Sequence, residues 1–269
     1  MPCNYFAQEE EFRFATVPLK INVGEQVFVD NDDLQVAELL QAMKECKTAS
    51  STACPAPYDF AEEYRKADYT FVFTISSQLS GTYNSAVVAK KTVEQEDPSK
   101  KIHVVDSKAT SAMQMLLIFR MKKLIQENKY SFEKLCQKID AYQKELGLYF
   151  VLQSYDNLIK AGRMSKTAAA LAGVLSICPV AGENGNGQIQ VFCKVRGAKT
   201  ALKRMVEMIK DKMPTQREHL VITHCNNIEG AKYVAECAKQ IYQFAKIDIF
   251  PMRGLASYYA NDKGIIIGF

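Results

Sequence analysis

"YTFVFTISSQLSGTYNSA" (residues 69–86) reads as a strand, a turn and the start of a helix in one run. Residues 69–75 are nearly all apolar and rich in β-formers, the composition of a strand covered on both faces. Residues 83–91 are helical in pattern. The segment "SSQLSG" is therefore the turn at the carboxyl end of a strand, feeding a helix N-terminus. Open α/β sheets place their ligands at such turns. Free backbone N–H groups at a helix start favour an anion. Ser76, Ser77, Ser80 and Thr82 add neutral donors, so the set suits a carboxylate or phosphate held by hydrogen bonds. The plainer reading is that these residues cap a helix and turn a corner, for which one hydroxyl suffices.

The same stretch holds no His, Cys or carboxylate. A serine nucleophile needs a base in reach, oriented by a third group, and the GxSxG elbow is absent. His103, His219 and His224 reach the turn only if the fold brings them there. No GxxxxGK[ST] phosphate loop exists. "GENGNG" (182–187) lies between two strand-like runs and reads as a hairpin turn. Asp106, in "DSKATS" (106–111), ends the strand 101–105. It is either a turn residue or part of the same crevice, since both turns leave one sheet edge. Arg163 and Arg196 each stand beside a glycine at a break in regular structure. Such an arginine faces solvent or presents its fork to phosphate or carboxylate.

Outward from this stretch, strand and helix patterns alternate. Residues 16–21 and 26–29 read as strands, and residues 36–43 as a helix with Asp32 or Asp33 as its N-cap. "TACPAP" (52–57) reads as a loop. Residues 110–127 form a helix apolar almost all round, which is buried or lines something greasy, and 131–146 form another. Residues 148–154 restart the pattern as a strand, followed by a helical segment 155–176 broken near Gly162. Residues 177–197 form a hairpin, and 219–226, 247–252 and 264–269 are strands. Asn226 and Glu229 suggest a capping box for a helix 228–244. The expectation is an α/β protein of two packed domains with mostly parallel sheets. The first domain spans residues 1–146 and carries the hydroxyl turn; the second spans 147–269 and carries the hairpin.

The chain of 269 residues is 48% apolar and 24% charged, with a formal net charge of +4. That charge does not argue for nucleic acid, which needs clustered Lys and Arg, and permits at most transient contact with a membrane surface. Eight cysteines include no CxxC pair, and there are three histidines, so no metal site is expected. The start shows no signal peptide and the cysteines sit in apolar runs, which points to a reducing, cytoplasmic compartment. The most apolar stretch, 113–119, is too short to span a bilayer.

"TISSQLSGTYNSA" closely resembles the signature of the DegV family of fatty-acid-binding proteins. "TACPAPYDF", "VVDSKATSA", "LIKAGRMSK" and "ICPVAGENGNGQIQVFCKVRG" resemble further family segments in the same order, so the likeness covers nearly the whole chain. The resemblance implies two α/β domains with one long-chain fatty acid, about C14–C18, buried in an apolar slot between them. It implies that Thr52, Ser80 and Gly81 hold the carboxylate, with Ser77 and Thr82 beside them. Phe73, Leu116, Ile118, Phe119, Leu171 and Leu175 are candidates to line the tail, although each alone reads equally as core. It further implies a non-catalytic acyl-binding subunit, without a cofactor, that presents the acid to a separate fatty acid kinase subunit for acyl-phosphate formation. Arg163 and Arg196 would then serve the partner or the phosphate. The readings left beside it are a serine-dependent lipid hydrolase and a lipid sensor or carrier with no kinase partner. A tail of about 16 carbons at ~0.8 kcal/mol per buried CH₂ offers roughly 10 kcal/mol before binding costs, so the hydroxyls need only select the head group.

Two departures from the family pattern stand out. "MPCNYFAQEE" occupies the place of an opening strand and its Asp-Ser turn. "YYANDKGIIIGF" replaces a His-Thr-Gly-Pro-Gly segment, with Tyr259 or Ala260 where the histidine would fall and Tyr259 or Asn261 as a substitute donor.

Overall fold

A two-residue link with Gly24 at φ +60° joins strand β1 (Lys20–Val23) to β2 (Gln26–Val29). Glycine takes that left-handed conformation without steric cost. The computed structural model describes residues 12–165, 177–212 and 218–269. Two units divide the chain. The first runs through Ser107 and adds Leu117–Lys144 and Arg253–Leu255; the second comprises Lys108–Leu116, Glu145–Met252 and Ala256–Phe269.

In the first unit, helix α1 (Val36–Glu45) follows β2, and β3 (Ser50–Ala53) pairs antiparallel with the other edge of β1. Gln35 is the N-cap of α1 and makes no side-chain capping bond; its Nε2 donates backwards to Asp33 O at 3.2 Å. The expected caps are engaged elsewhere: Asp32 pairs with Arg253, and the Asp33 N–H donates to Asn31 Oδ1. A turn at residues 31–34 adds length between the aspartates and the helix, which composition alone did not reveal. The expected loop 52–57 is also shorter, because Thr52 belongs to β3 and Pro57 opens helix α2 (Pro57–Tyr64). Proline suits a first helical position, where its missing N–H costs nothing.

Strand β4 (Tyr69–Thr74), helix α3 (Thr82–Glu96) and strand β5 (Lys101–Asp106) form a parallel crossover unit with Thr74 opposite Asp106. Phe60, Ala61 and Tyr64 of α2 pack with Ala86, Ala89 and Val93 of α3 over Ile102. The Tyr64 hydroxyl donates to Ala86 O at 3.3 Å. Helices α4 (Ala112–Gln126) and α5 (Phe132–Glu145) follow, as their patterns predict.

The second unit contains β6 (Leu148–Val151), α6 (Asp156–Lys160), the hairpin β7 (Ile177–Glu183) and β8 (Ile189–Arg196), and helix α7 (Ala198–Glu207) with a 3₁₀ turn (Met208–Asp211). Strand β9 (His219–His224), helix α8 (Ile228–Ile241), strand β10 (Lys246–Pro251), helix α9 (Gly254–Ala260) and strand β11 (Ile265–Gly268) complete it. The sheet order is β10-β9-β11-β6-β7-β8. Its core brings Tyr149, Val180 and Ile222 together with Met205 and Val206 of α7 and Val234 of α8. Asn227, not Asn226, caps α8, its side chain accepting the Gly230 N–H at 3.1 Å. Asn226 instead takes a left-handed φ of +46° in the turn before it. Helix α6 ends at Lys160, and residues 166–176 of the expected helix lie outside the described residues, with Leu171 and Leu175 among them.

The α/β class holds. Strand direction is divided. β4–β5 and β9–β10 are parallel, each joined by a crossover helix. β1–β2, β1–β3, β6–β7, β7–β8, β6–β11 and β9–β11 are antiparallel, so "mostly parallel" does not describe these sheets. The runs "LYFV" and "IIIG" are buried on both faces. Such runs look alike whichever way the neighbouring strand points.

Candidate functional site

The end of β4 is fixed before the turn begins. Thr74 is 2% exposed, its hydroxyl donates to Val105 O at 3.3 Å, and its carbonyl accepts the Ser107 N–H at 3.3 Å. Ser76 is fully buried and organises the turn from inside. Its carbonyl accepts the N–H groups of Leu79 and Ser80 at 3.0 and 3.1 Å, and its hydroxyl accepts the Gln78 N–H at 3.2 Å. Ser77 faces outward. Its N–H donates to Asp106 Oδ1 at 3.1 Å and its hydroxyl to Asp106 Oδ2 at 2.6 Å. Of the two readings of Asp106, the geometry supports the one in which it joins the turn across the sheet edge.

Ser80 Oγ and Thr82 Oγ1 are 2.8 Å apart, and the Thr82 N–H donates to Ser80 Oγ at 3.3 Å. Gly81 is the N-cap of α3 with φ −67°, and its carbonyl accepts the Ser85 N–H. A Cβ added to Gly81 would lie 3.3 Å from Cys54 Sγ. The exit of β3, with half-buried Thr52 two residues before Cys54, thus lies beside the turn. Cys54 was not singled out from the sequence; its spacing from Thr52 was the available signal.

Phe73 is half-buried on β4, and on α4 Ile118 is buried and Phe119 half-buried, all in the first unit. Leu116, on the same helix, is buried within the second unit. Arg163 follows Gly162, which sits at φ +71°, and its guanidinium donates to Ala161 O. Its N–H donates to Leu158 O at 2.8 Å, closing the end of α6. Arg196 is exposed at the end of β8, ahead of Gly197 at φ +89°.

Each histidine has a partner that is not a residue of the hydroxyl turn. His103 bonds Asp140 at 2.8 Å, His219 bonds Asp248 at 2.9 Å, and His224 Nδ1 accepts the Asn227 N–H at 3.2 Å. Burial pushes His219 and His224 below the ordinary histidine range, in His219 against the pull of Asp248. Burial also raises the Cys136 thiol to about 11. Among the described residues, no cluster of His, Cys, Asp and Glu could hold a metal, and no helix is long and apolar enough to cross a membrane.

Fold and turn together define an α/β protein whose first unit gathers Ser76, Ser77, Ser80 and Thr82 at the carboxyl end of β4, ahead of the N-terminus of α3. The family model described as "Uncharacterised protein, DegV family COG1307" matches residues 5–266. A DegV domain-containing protein of Streptococcus pyogenes serotype M1 is 35% identical over 267 residues, covering 97% of this chain and 93% of the relative. The chain belongs to the DegV family. Its fold matches a DegV family protein from Eubacterium eligens loaded with heptadecanoic acid, with a TM-score of 0.91 and 32% identity over 97% of this chain and 94% of that one. It also matches the Streptococcus pneumoniae Fatty Acid Kinase (Fak) B3 protein loaded with linoleic acid, with a TM-score of 0.89 and 34% identity over 94% and 89% of the two chains.

Proposed function

We propose that this protein binds one long-chain fatty acid and presents its carboxylate to a separate kinase subunit for acyl-phosphate formation. It does so as a binding protein in the cytoplasm, without bond-making chemistry of its own. In this reading Ser80, Thr52 and the Gly81 backbone hold the carboxylate, while Phe73, Ile118 and Phe119 contribute to the tail's apolar surroundings. Arg163 and Arg196 serve the partner or the phosphate.

The Ser80–Thr82 pair carries the reading. Thr82 is 5% exposed and Ser80 is more open. Ser80 Oγ accepts the Thr82 N–H and shares a second hydrogen bond with Thr82 Oγ1, in which either hydroxyl can donate. Whichever hydroxyl donates within the pair, the other keeps a hydrogen to give to an anion, and neither has a base in the pair to make it a nucleophile. The fatty acids named with the E. eligens and S. pneumoniae proteins support the choice of ligand.

Native mass spectrometry after incubation with C14–C18 acids tests the binding. A one-to-one adduct is expected, and a protein that takes up none of them overturns the proposal. ATP-dependent acyl-phosphate formation with a fatty acid kinase catalytic subunit tests the presenting role. Binding without any such product would leave a carrier or sensor.

A further inference from the structure

We propose that Asp106 is the positioning residue of the head-group turn. Its carboxylate takes both hydrogen-bond donors of Ser77 and so sets the orientation in which the turn offers Ser80 and Gly81 to a ligand. This rests on the fatty-acid reading of the turn for its ligand, but not for its geometry.

The argument starts from what each side of the clamp is attached to. Asp106 is the last residue of β5 and stands opposite Thr74, the last residue of β4. That end of the sheet is tied independently of the turn. The Thr74 hydroxyl reaches Val105 O, the Ser107 N–H reaches Thr74 O, and Gln143 Nε2 from α5 donates to Ser107 O at 3.2 Å. Ser77, by contrast, is exposed, and the bonds organising residues 76–80 from inside run to Ser76. Those bonds shape the turn but do not aim it. Two bonds from one residue to the two oxygens of one carboxylate fix rotation as well as distance. The 2.6 Å contact from the Ser77 hydroxyl is a short, charge-assisted one.

The clamp also gives Ser77 a different part from Ser80. The Ser77 proton is directed at Asp106, leaving that oxygen with acceptor capacity only, which an anion does not seek. Donation to the ligand then falls to Ser80 and its neighbours. Asp106 acts through Ser77 on the turn, without touching the ligand itself.

The experiment uses the full-length chain with D106A, D106N, S77A and D106A/S77A, titrated with a C16–C18 acid and followed in parallel by the backbone amide spectrum without ligand. D106A is expected to raise the Kd by about tenfold. The D106A/S77A pair should lose no more than D106A alone. D106N should recover most of the loss, because its amide oxygen can accept the Ser77 N–H while its NH₂ donates to Ser77 Oγ. S77A, on an exposed turn, keeps the test open if D106A fails to fold, and should weaken binding by less than D106A. In the spectrum, D106A should shift the amides of Ser77, Leu79, Ser80 and Gly81, and D106N should largely restore them. The inference is overturned by wild-type affinity in D106A, by additive losses in the double variant, by no rescue in D106N, or by a Ser77 shift unaccompanied by shifts at Ser80 and Gly81. A wild-type chain that binds no acid but shows the coupled shifts ends the fatty-acid reading and leaves the clamp standing.

Discussion

Cys54 Sγ lies 3.3 Å from the position a Cβ on Gly81 would occupy, so the exit of β3 and the hydroxyl turn meet closely enough that a side chain there would make Cys54 give by a few tenths of an ångström. The φ of −67° at Gly81 is open to any residue, and alanine there is unstrained in its backbone. G81A should therefore melt within a degree or two of wild type while shifting the Cys54 side chain by a few tenths of an ångström. The expected cost in fatty-acid affinity is about 1 kcal/mol, some fivefold in Kd. Adding C54A should return most of it. Unchanged binding in G81A would show that the spacing of the two segments does not matter.

Ser80 is the more open hydroxyl of the Ser80–Thr82 pair. On the proposed function its replacement by alanine removes a bond to the carboxylate, worth about 1.5–3 kcal/mol. Titration of S80A with a C16–C18 acid should show a Kd at least about tenfold higher, with little change in melting temperature because Ser80 is not deeply buried. Equal affinities for S80A and wild type would remove Ser80 from the head-group site.

Asp30 accepts the N–H groups of Gly254 and Leu255 at 2.9 and 3.1 Å, capping α9 from a residue far away in the chain. D30A leaves two helix-start donors without this acceptor and should cost about 1–2 kcal/mol in urea unfolding. G254A should cost more, since its Cβ would fall 2.1 Å from Leu34 Cδ2 and 2.7 Å from Asp30 Oδ1. A G254A protein as stable as wild type would mean that this contact relaxes freely.

Acid should weaken the fold through two histidines. Burial lowers the folded-state values of His219 and His224, so below the ordinary value near 6.5 the unfolded chain binds more protons than the folded one. Their contribution is complete above about pH 6.5 and is lost as the pH falls through the depressed values. Melting temperature should fall from about pH 7 to about pH 5, and H219Q/H224N should flatten that fall. Glutamine can keep a donor toward Asp248 and asparagine an acceptor for the Asn227 N–H. An identical slope in wild type and double variant would assign the acid sensitivity to other groups.

Much of this was legible in residue order alone. The run 69–75, the hydroxyl turn and the helix after it announce a crossover unit, because a doubly covered strand and a helix face have different periods. The hairpin at residues 177–197 is marked by its glycines and asparagines. Strand direction was not legible in β6 and β11, whose side chains are buried on both faces and so carry no alternation to read. Caps were misplaced at Asp32, Asp33 and Asn226, since a cap depends on where the preceding turn ends and several polar residues compete for it. At the hydroxyl turn, composition supplied the hydroxyls but not their assignments. That Ser77 faces Asp106 while Ser80 faces Thr82 follows from rotation about the turn, which no spacing encodes.

β11 lies between β6 and β9, two strands that do not pair with each other directly. It is also later in the chain than either. During vectorial synthesis the β6-β7-β8 and β9-β10 halves must wait, each with one unzipped border, until residues 265–268 arrive to join them. A nascent chain of this protein is thus most open to wrong partners just before its sheet closes, and a stop codon ahead of Ile265 would leave two half-sheets rather than a slightly shorter one.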